Sequence, residues 1–442
     1  MKSSLFSTIL LSLFIFNYAF SITIKPPKET ALERFLRYVK IDTQSKDDVE
    51  TVPSTEKQRN LATLLAKELK KLNVQNVRLS EYGFVYAIIP GNLPDNTSVP
   101  AIGFMAHMDT SPAVSGENVH PLIHKNYQGG NIILPKDSTQ IISPEKNPLL
   151  NEMHDDDIIT ADGSTLLGSD DKAGCAEIMT LADILQENPE IAHGTIAIAF
   201  TPDEETGNGI AKFDIENFGA QYAYTVDGGE LGEISDETWS ARQAFVTLQG
   251  RSTHPGDAKG IMLNSAYALA DFLLRFPKDK LPETTEGRIG FIHPYDGKVD
   301  VEQSSIKILI RDFDESQLDE KENLIRAMAS ETQKKYPDIK INIAFEKQYQ
   351  NMKEILKNYS FLTDYAIEAS HRAGVEAKLK PSRGGTDGSD LTFRGLPCPN
   401  LYTGGHNFHG KLEFNSRRGL EKSTEMLLHL VQIFVEKSQT KK

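Results

Sequence analysis

Apolar positions divide the chain into segments of helical and of extended period. Leu32, Phe35, Leu36 and Val39 fall on one helical face, and Leu61, Leu64, Leu65, Leu69 and Leu72 on another, where Thr55 and Gln58 have the spacing of a capping box. Short apolar runs near 84–89, 100–106, 194–200 and 221–226 read as strands, alternating with helical stretches such as 172–186. Such alternation predicts an α/β unit on a mostly parallel central sheet. Between about 240 and 350 the pattern changes. A strand at 244–250, a helix at 262–276 with Ala266, Leu269, Ala270 and Leu273 on one face, and a strand at 288–293 come first. The alternation Ile306, Ile308, Ile310, a charged helix at 315–335 and the alternation Ile339, Ile341, Ile343, Phe345 follow. This β-α-β-β-α-β order can close a small sheet of its own. The first pattern resumes with a helix near 360–373 and a strand at 399–403. The simplest organisation is therefore an insert, residues 239–350, within a discontinuous domain made of 22–238 and 351–442.

The first residues do not fit either pattern. Lys2, an apolar stretch from Leu5 to Phe16 and the ending Ala19-Phe20-Ser21 read as a signal peptide over residues 1–21, too short for a membrane span. That predicts a periplasmic or secreted protein with no membrane attachment after its removal, and a cytoplasmic one if the segment is not a working signal. Two cysteines, Cys175 and Cys398, stand far apart in apolar sequence and suit buried thiols better than a disulfide. The chain has 442 residues, a formal net charge of −14 and 39% hydrophobic residues, the composition of a globular protein and not of a disordered one. The acidic balance excludes nucleic acid as the expected partner, because a phosphate backbone needs an electropositive face.

Where the polar residues fall carries the chemistry. The apolar run 101–106 ends in His107-Met108-Asp109, 195–200 in Asp203-Glu204-Glu205, and 222–226 in Asp227-Gly228-Gly229. Pro399 to Thr403 is followed by Gly404-Gly405-His406-Asn407-Phe408-His409, and Ser169-Asp170-Asp171-Lys172 opens a helix. Each lies at the C-terminal edge of the expected sheet, where α/β folds bind ligands. Singly, Asp170 or Asp171 is equally a helix N-cap, Asp227-Gly228 a turn and Glu204-Glu205 an exposed acidic helix start. Together they converge on one edge with N and O donors. Two imidazoles and three carboxylates supply each of two zinc ions with three ligands only if one carboxylate bridges, and such a pair polarises a carbonyl. Adjacent glutamates point apart, so one can ligate while the other faces substrate.

These residues, in the motifs HMDTSP (107–112), TLLGSDDKAG (165–174), FTPDEETG (200–207), YTVDGGE (224–230), HPG (254–256), IRDFD (310–314), RGGTDG (383–388) and LPCPNLYTGG (396–405), resemble the peptidase T family. Peptidase T enzymes are tripeptide aminopeptidases of the co-catalytic di-zinc aminoacylase and carboxypeptidase superfamily, and the resemblance runs from about residue 30 to 435. It implies a zinc-exopeptidase-like α/β catalytic domain interrupted by a ferredoxin-like α+β lid, two zinc ions per subunit, small peptides as substrates and a homodimer formed through the lid. His107, Asp170 and Asp227 would then hold one zinc, and Asp170, Glu205 and His409 the other. Spacing alone leaves His406 as a rival to His409. Glu204 resembles the general base, and Asp109 the carboxylate that orients His107. His254 resembles a lid histidine that stabilises the oxyanion, Arg383 a clamp for the substrate carboxylate, and Arg311 a further substrate contact in the lid. Their plainer alternatives are a turn before Pro255 for His254 and structural ion pairs for the arginines. A dipeptidase, carboxypeptidase or aminoacylase would share the zinc cluster, and a peptide-binding protein without catalysis would share the fold.

Overall fold

The computed structural model describes residues 24–94 and 97–439, so the signal-peptide expectation for 1–21 lies outside the described residues. Eight strands form the large sheet, in the spatial order Gln75–Leu79, Val85–Ile89, Ile196–Thr201, Ile102–His107, Tyr222–Gly228, Asn400–Tyr402, Glu233–Ser235 and Lys378–Leu379. Its centre, from Ile196–Thr201 to Asn400–Tyr402, is parallel, while Val85–Ile89, Gln75–Leu79 and Glu233–Ser235 join antiparallel. The parallel strands all finish at one edge, and strand alternation builds the two faces behind it. Ile196, Ile198 and Phe200 pack in the main core with helices Ala31–Tyr38, Gln58–Lys71, Ser169–Glu187 and Arg417–Gln439. Ala197 and Ala199 point the other way, into a second layer filled by Phe213, Phe218 and Leu391. Both cysteines are buried free thiols, and no helix among the described residues is long and apolar enough to cross a membrane.

The helix Ser169–Glu187 lies unusually close to the sheet. A Cβ at Gly174 would stand 1.9 Å from the Val226 carbonyl oxygen, so only glycine lets this helix pass over Tyr222–Gly228 and bring Asp170 beside Asp227. At the second helix the expected capping box does not form. Gln58 Nε2 donates to Asp203 Oδ1 at 2.6 Å and Thr55 Oγ1 to the Gln44 carbonyl at 2.7 Å, so tertiary partners take both side chains and Lys57 holds the cap position without a side-chain bond.

Strands Ser240–Gln249, Phe291–Lys298, Gln303–Asp312 and Lys340–Tyr349 form a separate antiparallel sheet, in the order second, third, first, fourth. Helices Ser265–Leu273 and Glu315–Lys335 cover one face over a core that includes Ile306, Ile308, Ile310, Ile325 and Phe272. The first of these helices starts later than its periodicity predicts, because Asn264 caps it by accepting the Ala266 N–H at 2.9 Å. A small sheet of Phe414–Ser416, Asp156–Thr160 and Leu122–Tyr127 was not legible in the apolar pattern.

Candidate functional site

His107 closes its strand with the ring buried, 2% exposed. Its Nδ1 lies 3.1 Å from the Asp109 carbonyl oxygen, and its Nε2 lies 2.8 Å from Asp170 Oδ1 and 3.4 Å from Asp227 Oδ1. The other oxygen of Asp170 reaches His409 Nε2 at 3.1 Å, and that nitrogen also meets Glu205 Oε2 at 2.8 Å. One carboxylate thus stands between two imidazoles that are distant in sequence. Asp109 organises the opposite wall: its carboxylate accepts the N–H groups of Glu204 at 3.1 Å and Glu205 at 3.3 Å. Glu205 reaches His409, and both adjacent glutamates line a cleft above the cluster. That cleft, of about 490 Å³, is also bordered by Asp170, Asp227 and Lys380.

The electrostatics are those of an uncompensated anionic site. Burial raises the Glu204, Glu205 and Asp227 carboxyls. Hydrogen bonds to Asp170 and Glu205 raise His409 to about 10. At Asp170 burial is outweighed by the two histidines, which hold its carboxyl below the usual range. Glu205 Oε1 is buried with no hydrogen-bond partner. If Nδ1 of His107 carries its proton toward Asp109, the Nε2 lone pair faces two carboxylates, an arrangement that a cation between them would resolve. Atoms of His107, Asp170 and Glu205, and separately of His107, Asp171 and Asp227, gather closely enough to hold a metal ion. Nitrogen and oxygen donors in such a group suit a divalent ion of the zinc type.

Residues 154–433 match Peptidase family M20/M25/M40. A peptidase T of Desulfitobacterium hafniense is 46% identical over 407 residues, 92% of this chain and 98% of the relative. The chain belongs to this peptidase family, and within it to peptidase T. Two solved structures share the fold. The aminopeptidase PepT of Bacillus cereus has a TM-score of 0.69 at 22% identity, over 92% of this chain and 98% of that one. A tripeptidase of Staphylococcus aureus has a TM-score of 0.71 at 20% identity, with the same coverage.

Not every expected site residue of this M20 peptidase joins the cluster. His406 does not: its ring stacks on Phe414 with centroids 4.6 Å apart, and burial lowers it to about 4. Of the acidic pair opening the helix, Asp170 reaches both histidines, while Asp171, though close to His107 and Asp227, accepts the Gly174 N–H at 3.0 Å, the bond of an N-cap, and the His107 N–H at 3.1 Å. His254 lies in the insert with its side chain 79% exposed, Nδ1 accepting the Gly256 N–H. This is the turn geometry, and the ring is not among the residues bordering the cleft. Arg383 faces away from the cleft: its guanidinium lies over Trp239 and donates to the carbonyls of Gly287, Ile289 and Thr285, tying the catalytic edge to the insert. Its partners are these main-chain oxygens and the Thr285 hydroxyl, none of them a carboxylate, so neither a carboxylate clamp nor an ion pair describes it here. Arg311 donates to the Arg242 and Ile310 carbonyls beside the Tyr349 ring.

Lys172, named in the sequence only as part of the polar run 169–172, is wholly buried, donates to the Ile41 carbonyl at 2.8 Å and is pushed down to about 8 by burial. One further buried residue of the site escaped the sequence. Glu413 accepts N–H groups from the loop that carries Asp170. The only local signal for Glu413 is a charged residue in a short alternating run, which does not distinguish an inward from an outward carboxylate.

Proposed function

We propose that this chain is a di-zinc aminopeptidase that releases the N-terminal residue from tripeptides. The observation that carries the reading is the Asp170 carboxylate set between His107 and His409, with Asp227 and Glu205 flanking it and Glu204 free on the cleft side. His107, Asp170 and Asp227 would hold one zinc, and Asp170, Glu205 and His409 the other. Bound zinc would supply Lewis acidity toward the scissile carbonyl. Glu204 accepts the proton of the attacking water and returns it to the leaving amine; its burial-raised carboxyl suits a group that must hold that proton in between. Asp109 orients His107 and fixes the main chain of Glu204 and Glu205, so acid–base group and ligand move as one unit.

The exposed position of His254 and the outward position of Arg383 belong to an arrangement in which the insert, residues 239–350, is not closed over the catalytic parts 22–238 and 351–442. Their substrate contacts, with that of Arg311, require a relative shift of the insert or a second copy of the chain, and a homodimer through the insert supplies the latter. Residues 1–21 act as an export signal in this reading, and N-terminal sequencing of the mature protein tests that part separately.

The test of the activity is a mass-spectrometric product assay on zinc-loaded protein with an unblocked tripeptide and its N-acetylated form. Release of the first residue from the free peptide alone is expected. Release of the C-terminal residue, or equal cleavage of the blocked peptide, would overturn the aminopeptidase assignment.

A further inference from the structure

Asp170 is held in place by something other than its helix. Helical hydrogen bonding begins around it, but Asp170 (φ −82°, ψ 106°) and Asp171 (φ −120°, ψ 41°) have non-helical backbones, and Gly168 before them is left-handed at φ +82°. The amides of such an irregular, buried segment need partners from elsewhere. They find one carboxylate. Glu413 Oε2 accepts the Leu167 and Gly168 N–H groups, both at 2.8 Å, and Oε1 accepts the Asp170 N–H at 3.0 Å. Glu413 itself is 1% exposed.

The strand Phe414–Ser416, which follows Glu413 directly, makes a second tooth of the bracket. Side chains two apart in a strand share a face, and Asn415 Nδ2 donates to Ser169 Oγ at 2.9 Å. Phe414, between them, points the other way and stacks on His406. Reciprocal main-chain bonds between His406 and Phe414, at 2.9 and 3.1 Å, close the loop that carries His409. One end of that loop presents His409 to Asp170, and the other end grips the backbone of Asp170.

We propose that Glu413 is a positioning residue for the metal centre: by collecting the amides of Leu167, Gly168 and Asp170 it sets the Asp170 carboxylate between His107 and His409 and couples the two ligand loops. Its observed bonds go to main-chain amides, so it acts through Asp170 and not on a cation directly. A carboxylate is the group this task requires, since it offers acceptors only, and three N–H donors converge on it. Glutamine in the same volume turns one acceptor into a donor facing an amide and leaves a buried N–H unpaired.

The inference rests on the di-zinc reading, and the experiment keeps the two apart. Wild type, Glu413→Gln and Ser169→Ala are prepared metal-free, checked by circular dichroism, titrated calorimetrically with Zn²⁺, and examined by visible absorption after Co²⁺ substitution, with kcat and KM measured on a tripeptide. In Glu413→Gln the affinity of at least one bound Zn²⁺ is expected to fall about 10- to 100-fold, the range found when partners behind metal ligands are removed. The Co²⁺ bands should shift and kcat fall while KM stays within about twofold. Ser169→Ala removes only the neighbouring bond and should weaken the same site by a smaller factor, which carries the test if Glu413→Gln does not fold. Unchanged Zn²⁺ affinity, Co²⁺ bands and kcat, whatever happens to thermal stability, would overturn the proposal. Wild type binding fewer than two equivalents would instead sink the di-zinc reading.

Discussion

The insert and the catalytic sheet edge handle charge in opposite ways. In the insert, opposite charges meet: Arg242 bonds Glu315, Asp319 and Glu322, and Lys321 pairs with Asp312. At the sheet edge Asp170, Glu204, Glu205 and Asp227 crowd together with two histidines, and no lysine or arginine among the described residues forms an ion pair with them. Like charges buried together cost stability unless a counter-ion arrives. The insert's charges serve its own folding, whereas those of the edge make sense only with a ligand. A region that buries four carboxylates against two histidines has been arranged for chemistry at the expense of stability.

Perturbing each region in turn sharpens that contrast. Glu204→Gln removes the proton acceptor without removing a proposed ligand, so turnover should drop by about 10²- to 10⁴-fold with zinc content unchanged by atomic absorption. Zinc lost along with activity would show that Glu204 is a ligand and redraw the site. Gly174→Ala places a methyl against the Val226 carbonyl and should cost about 1–3 kcal/mol in urea unfolding, weakening zinc binding as the helix moves away from Asp227. Unfolding at wild-type denaturant concentrations would mean that the helix does not need this close approach.

Acid should separate the regions as well. His406 is lowered from 6.5 to about 4 by burial, so the unfolded chain takes up its proton first as pH falls. Its contribution to stability is complete above about pH 6.5 and is lost as pH falls toward about 4. His406→Phe keeps a ring against Phe414 and should flatten that part of the stability profile, and an unchanged slope would reject the assignment. The smallest effect belongs to the insert. Asp319, 65% exposed, is one of several partners of Arg242, so Asp319→Ala should change stability by no more than about 0.5 kcal/mol and leave kcat untouched. A large loss of activity there would break the distinction between the two regions.

How much was legible follows the same division. The helix expected at 315–335 is found at Glu315–Lys335, and the alternating isoleucines of 306–310 lie in the predicted strand, because period and burial there are set by neighbours close in the chain. Thr55 and Gln58 misled, since their capping spacing is outcompeted by Asp203 and Gln44. Leu122–Tyr127 went unread because its residues are mostly half-buried or exposed and carry little alternation. Residue types and strand ends marked His107, Asp170, Glu204, Glu205 and Asp227 as one group. They could not separate His406 from His409, whose difference is a ring stacked on Phe414 against a ring turned to Asp170 and Glu205.

The amino-acid sequence by itself determined the α/β pattern, the β-α-β-β-α-β insert and the set of polar groups gathered at one sheet edge, because periodicity and residue chemistry are local properties. Tertiary structure alone decided that Asp171 caps its helix while Asp170 bridges two histidines, that Arg383 ties the insert to the catalytic edge, and that Glu413 gathers the amides behind Asp170. Each of these depends on which distant backbone group occupies the space beside the side chain, and a hydrogen bond forms only where donor and acceptor are brought within about 3 Å.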